Sequence, residues 1–304
     1  MYAKLTLAAP VAVAFVLAGA VPIRAQDSTR IGVAEQIRTI TSRIKSVDDR
    51  KQAEKALRHL DAATVLEMIL PELERLEADP DTVGQFGKYL SPDEESQQPL
   101  QGFRILQGLW SDLIYEQSPN HAGLLLKLLK TAKSDSSRRR VISGFWYHFV
   151  SEAEAPLAAI LKDRKAVGWS EGVSVLVYHR PQKYGPVLLD YLESEKVSVR
   201  EQHALFGIIG VDSFKRMEEK DRKRYIRWAF ALIQVERREN PTYKGAGYFP
   251  AVWIQAYLDV KVPRPSQTDP KYRRPDGISL NDAFFEDTAL SALAWWKIHR
   301  KDYD

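Results

Sequence analysis

Ala155-Pro156-Leu157-Ala158-Ala159-Ile160-Leu161 and Gly185-Pro186-Val187-Leu188-Leu189-Asp190-Tyr191-Leu192 are one pattern written twice. In each, a small residue and a proline precede an apolar run, and the prolines stand thirty positions apart. Proline suits the first turn of a helix, where its missing N–H has no intrahelical partner to lose. Upstream, Leu125, Leu128, Leu129 and Lys130 align with Leu157, Ile160, Leu161 and Lys162, offset by thirty-two. A second apolar segment accompanies each of these helices. The three ends are Leu113-Ile114-Tyr115-Glu116, Phe145-Trp146-Tyr147-His148 and Leu176-Val177-Tyr178-His179. Leu205-Phe206-Gly207-Ile208-Ile209 continues the series without a tyrosine. A helix pair recurring at this spacing cannot bury its apolar faces alone, so it must stack on its neighbours.

On either side of this stretch the apolar period stays helical. Ile31–Val47 carries Ile37, Ile40 and Ile44 at spacings of three and four. Asp48 or Asp49 is positioned to cap the next segment, and Asp61 to cap Ala62–Glu77, whose stripe is Val65, Ile69, Leu73 and Leu76. Leu100–Glu116 follows with Phe103, Leu106, Leu109, Trp110 and Leu113. Val173–Tyr178 is β-rich in composition, but its place in the repeat predicts helix. Beyond Val211 the repeat blurs into a long helix over Glu218–Val235, a turn-rich break over Asn240–Pro250 and a short helix over Ala251–Val260. Pro263, Pro265, Pro270 and Pro275 punctuate a loop too long for a plain connection, which marks it as functional or disordered. Ser279 with Asp282 is positioned to cap the last helix, read as a terminal cap with a polar far side. The fold expected is all-α.

In period and helix pairing, residues 100–210 resemble the HEAT and armadillo class of α-solenoids, with a looser likeness over 31–99. The units are nearer thirty residues than the roughly 40–47 of that class, which leaves a more general α-α superhelix open. The resemblance implies stacked antiparallel helix pairs ending in a C-terminal capping helix. It also implies a surface that binds other macromolecules, with no catalytic residues to carry over. The expected organisation is a signal peptide over 1–25, a solenoid over 26–210, and an extension over 211–304 containing the Pro-rich loop 261–278.

Export is read from the first residues. Lys4 is followed by the uncharged apolar run Leu5–Val21, and cleavage is expected after Ala20 or after Ala25. An uncleaved anchor is the alternative, and no later apolar run reaches spanning length. The whole chain has 44 basic and 40 acidic residues, net +4. Loss of Lys4 and Arg24 leaves the processed chain near charge balance, so the basic character does not point to nucleic acid. The 304 residues include no cysteine, which excludes disulfides, thiolate metal sites, a cysteine nucleophile and a lipoprotein anchor.

The sequence lacks the common catalytic and metal-binding motifs. Of the histidines His59, His121, His148, His179, His203 and His299, no two are spaced as a helical zinc motif requires. No nucleophile elbow or phosphate-cradling glycine loop occurs. The carboxylate pairs Glu152/Glu154, Glu218/Glu219 and Glu286/Asp287 lie in charged, solvated contexts. Catalytic residues, metal and cofactor are all expected to be absent. Acids gather early (Glu67, Glu72, Glu74, Glu77, Asp79, Asp81, then Asp93 to Glu95), and bases gather late. The candidate binding surface comprises Tyr147, His148, Tyr178 and His179, with Arg222, Arg224, Arg227, Arg273 and Arg274. The expectation is a secreted or periplasmic, non-enzymatic scaffold for a protein partner. Alternatives are a secreted all-α carbohydrate-active enzyme, or a binder of anionic or polysaccharide envelope polymers.

Overall fold

The computed structural model describes residues 23–83, 99–116, 121–194, 197–258, 262–276 and 278–304. Of the signal peptide read over 1–25, residues 1–22 lie outside the described residues, as do the acids Asp93 to Glu95. Within them the chain is all-α, with fifteen α-helices, two short 3-10 turns and no strand beyond one isolated bridge, Arg273 to Leu280. No described helix is long and apolar enough to cross a membrane. The chain divides between Leu113 and Ile114 into two compact units.

The first unit contains α1 (Ile23–Thr41), α2 (Val47–Arg58), α3 (Ala62–Ala78), α4 (Pro80–Val83) and most of α5 (Pro99–Tyr115). α1 ends before Ile44, which stands 92% exposed in the turn instead of joining the apolar stripe. The cap of α2 is Ser46, not Asp48 or Asp49. Its hydroxyl accepts from the Asp49 N–H while the Asp49 carboxylate accepts from Ser46, so two orphan donors are satisfied reciprocally. Asp61 caps α3 as expected, accepting from the Thr64 N–H at 2.9 Å. α3 buries Val65, Leu66, Ile69, Leu70, Leu73 and Leu76 on one face. Gly102 lets α5 approach the end of α1, since a Cβ there would meet the Ile40 carbonyl oxygen at 3.0 Å. The early acids are largely neutralised at home: Glu67 by Arg30, Asp79 and Asp81 by Arg43, and Glu72 by Arg75.

The second unit follows with α6 (His121–Thr131), α7 (Asp135–Gly144), α8 (Ser151–Ile160), α9 (Trp169–His179) and α10 (Pro181–Leu192). It continues with α11 (Val199–Leu205), α12 (Val211–Arg216), α13 (Glu219–Glu239), α14 (Tyr248–Tyr257) and α15 (Asp282–His299). Successive helices pack as pairs, α6 with α7, α8 with α9, and α9 with α10, while α7 also packs on α9 one unit along. The β-rich run of α9 is helical because Val173, Val175, Leu176 and Val177 are buried on several sides at once, and packing overrides intrinsic preference.

Pro156 and Pro186 fall in the second turns of α8 and α10, at the sixth residue of each, rather than in the first. Pro181 takes the first-turn position of α10. The last helix is capped by Asn281, whose side chain accepts from the Phe284 N–H at 3.2 Å, and not by Ser279. Its far side is not wholly polar, since Leu290 and Ile298 are exposed one above the other with Ala294 between them. The Pro-rich loop has a structural anchor. Tyr272 is buried, donates its hydroxyl to Asp287 at 2.7 Å, and accepts the Asn281 N–H on its carbonyl oxygen.

Candidate interaction surface

The end of a helix leaves carbonyl oxygens without intrahelical donors. In the second unit, side chains arriving from later in the chain serve a series of such ends. His148 donates its Nε2–H to the Ile114 oxygen at 2.6 Å, across 34 residues. After α7 the backbone tightens into i→i−3 bonds through Tyr147, and His179 Nε2–H is shared between the Phe145 and Trp146 oxygens, each at 3.1 Å. Arg216 then donates to the Tyr178 oxygen, and the Tyr257 hydroxyl to the Ile209 oxygen. The acceptors Ile114, Trp146, Tyr178 and Ile209 follow the repeat. The donors change from histidine to arginine to tyrosine. Because a carbonyl only accepts, both histidines carry their proton on Nε2.

This ladder holds an aromatic edge. The ring centroids of Tyr115 and Tyr147 are 4.2 Å apart, and those of Trp146 and Tyr178 are 4.5 Å apart. His179 stands edge-on to Tyr178 at 4.9 Å and stacks flat on Phe149 at 4.5 Å. Tyr115, Tyr147 and Tyr178 remain 62%, 47% and 40% exposed. Tyr147 is held by the Tyr115 hydroxyl first and by partial burial second, which pushes its phenol up to about 12. Burial pulls His179 below its ordinary value, with Arg216 and Arg180 adding repulsion against a proton. Arg180 lies over the Phe149 ring at 5.6 Å and converges with Lys183 on Glu154, whose carboxyl is held low by Lys183 and then by the Tyr184 hydroxyl.

Of the four Tyr-His positions named from sequence, His148 is buried on the Ile114 oxygen, Tyr147 contacts Tyr115, and Tyr178 contacts Trp146 and His179 at this edge. The arginines are not part of it. Arg222 donates to the Lys215 and Met217 oxygens, Arg224 pairs with Asp190 and Glu193, and Arg227 donates to the Tyr303 oxygen. Arg273 donates to the Ile278 oxygen and Arg274 faces Asp282 at 3.7 Å. Tyr115 belongs to the edge and was legible in the tyrosine spacing. Arg216 was not, because its reach of 38 residues departs from the period.

The carboxylate pairs diverge. Glu286 faces Arg237 and Lys244 while Asp287 accepts from Tyr272, and Glu154 faces α10 while Glu152 accepts from Ser151. Among the described residues, no group of three or more histidine and carboxylate side chains is placed to hold a metal ion. Trp110, Trp169, Trp228 and Trp295 are buried, whereas Trp253 is 39% exposed. Compared with protein-family models, curated proteins and solved structures, the chain matches none.

Proposed function

We propose that this protein is an exported, non-enzymatic helical-repeat scaffold of the HEAT and armadillo kind. It binds a protein partner along the edge formed by Tyr115, Tyr147 and Tyr178. The observation that carries the reading is the exposure of three tyrosines already held by ring contacts and a capped backbone. Tyrosine offers a large, amphipathic contact area with few torsions to freeze, and rings fixed before binding lower the ordering cost of association. Arginine, tyrosine and tryptophan dominate the energetic centres of protein interfaces, and Arg180 borders this edge. The N-terminal run supports export, with removal of residues up to Ala20 or Ala25.

The test compares chains beginning at Gln26, native and Tyr147→Ala/Tyr178→Ala, in pull-downs from cell-envelope and culture-medium fractions. The reading expects one protein retained at moderate salt by the native chain and lost by the double variant. Equal retention by both chains, or retention on polysaccharide alone, overturns it. Binding that disappears at moderate salt also overturns it, because an aromatic contact is not screened as a charge contact is.

A further inference from the structure

The helices after the repeat border a half-open cavity of about 450 Å³ against α12, α13 and α14, apart from the aromatic edge. That volume falls within the range of roughly 300–1,000 Å³ occupied by small-molecule sites. Its floor is apolar: Phe214, Ile226 and Tyr257 line it and are 5%, 1% and 3% exposed. The polar end of Tyr257 is turned elsewhere, donating to the Ile209 oxygen and lying 3.3 Å from the Tyr225 hydroxyl. Lys215, Arg222 and Lys223 form a cationic lining against a single acid, Glu219. Glu219 neutralises little, since it is 3.9 Å from Lys223 with its side chain 75% exposed. Arg222 is fixed in place by its Nη1 bonds to the Lys215 and Met217 oxygens, at 3.1 and 3.3 Å.

We propose that this cavity binds an amphipathic organic anion, an apolar body ending in a carboxylate. A neutral ligand would fill the floor but leave the cationic lining unanswered, and a cationic one would meet three like charges at short range. A carboxylate answers the lining, and the apolar body joined to it leaves water on entering the cavity.

The test is calorimetric titration of the chain from Gln26 with decanoate, with decanol and decyltrimethylammonium titrated in parallel. Methyl NMR of Ile226 reports where the ligand sits. Saturable decanoate binding that shifts the Ile226 methyl signals is expected, with the decyl cation the weakest of the three. In Lys215→Glu/Lys223→Glu, whose two positions are not deeply buried, decanoate should weaken by about tenfold or more. Circular dichroism checks that this variant is folded. Absence of saturation, an unmoved Ile226 signal, decanol binding as tightly as decanoate, or equal affinity in the folded double variant would each overturn the proposal. None of these outcomes bears on the aromatic edge.

Discussion

His179 shows how much one side chain carries. It bridges two helix-end oxygens, stacks on Phe149 and faces Arg180 and Arg216. Replacing it with alanine leaves carbonyls without their donor, and a loss of about 1–3 kcal/mol is expected in urea unfolding. Its proton affinity is lowered by burial, so the unfolded chain binds a proton that the folded chain resists. The stabilisation is complete above the ordinary histidine value of 6.5 and declines as pH falls through the lowered value. His179→Gln should flatten that mild-acid decline, read as unfolding midpoints across the same pH range. Tyr147 makes a separate prediction. Carbon NMR of labelled tyrosine should place its ionisation near 12, and Tyr115→Phe should bring it back toward 10. An unchanged value in that variant would show that the Tyr115 hydroxyl is not the cause.

At the scale of elements, the start of α9 is the most sensitive joint. Gly168 caps it with a φ of +81°, and an added Cβ would lie 2.2 Å from Ile142 Cδ1. Gly168→Ala combines left-handed strain with overpacking, and roughly 2–4 kcal/mol of destabilisation is expected. Gly185→Ala is the matched control. The Cβ there would meet the flexible end of Met217 at 2.8 Å, and alanine favours the helix by about 0.5–1 kcal/mol, so its effect should be much smaller. Equal midpoints for the two variants would refute this ranking. Helix existence was readable from apolar spacing, because that signal is repeated every turn. Helix ends were less so. Ser46 and Asn281 took caps assigned to neighbours, since several hydroxyl and carboxylate residues within three positions offer the same local chemistry. The prolines of α8 and α10 kept their thirty-residue register but occupy the second turn, where a proline costs an intrahelical bond.

At the scale of the whole molecule, two properties can be checked. The first is alkaline stability. Burial raises the phenols of Tyr191 and Tyr257 to about 12, and that of Tyr225 well above its ordinary value. Between pH 10 and about 12 the unfolded chain sheds protons that these folded phenols retain. Stability is therefore full below 10 and falls as pH rises through that window. Tyr257→Phe should make the decline shallower, measured by urea unfolding at each pH. The second is charge. Most arginines of the late basic stretch engage carboxylates or carbonyls of their own unit. The chain should accordingly leave an anionic matrix by about 0.15 M salt, where exposed charges are screened beyond roughly 8 Å. Retention well above that salt would restore the polyanion reading.

The all-α class and the register of the helix pairs were determined by the order of residues alone, because burying a helical face demands apolar residues at a fixed period. The tyrosine-histidine spacing was part of the same register, in which Tyr147 pairs with Tyr115 and Tyr178 with Trp146. Which of them face solvent was decided by packing. His148 and Tyr147 are adjacent in the chain, yet one is buried beneath the ladder and the other stands exposed on it. The arginines could not be sorted from sequence at all. A guanidinium reaches several ångströms from its backbone, and only the fold determines whether a carbonyl, a carboxylate or water lies there. The cavity against α12, α13 and α14 belongs to the same category, since its lining comes from segments whose spacing follows no repeat.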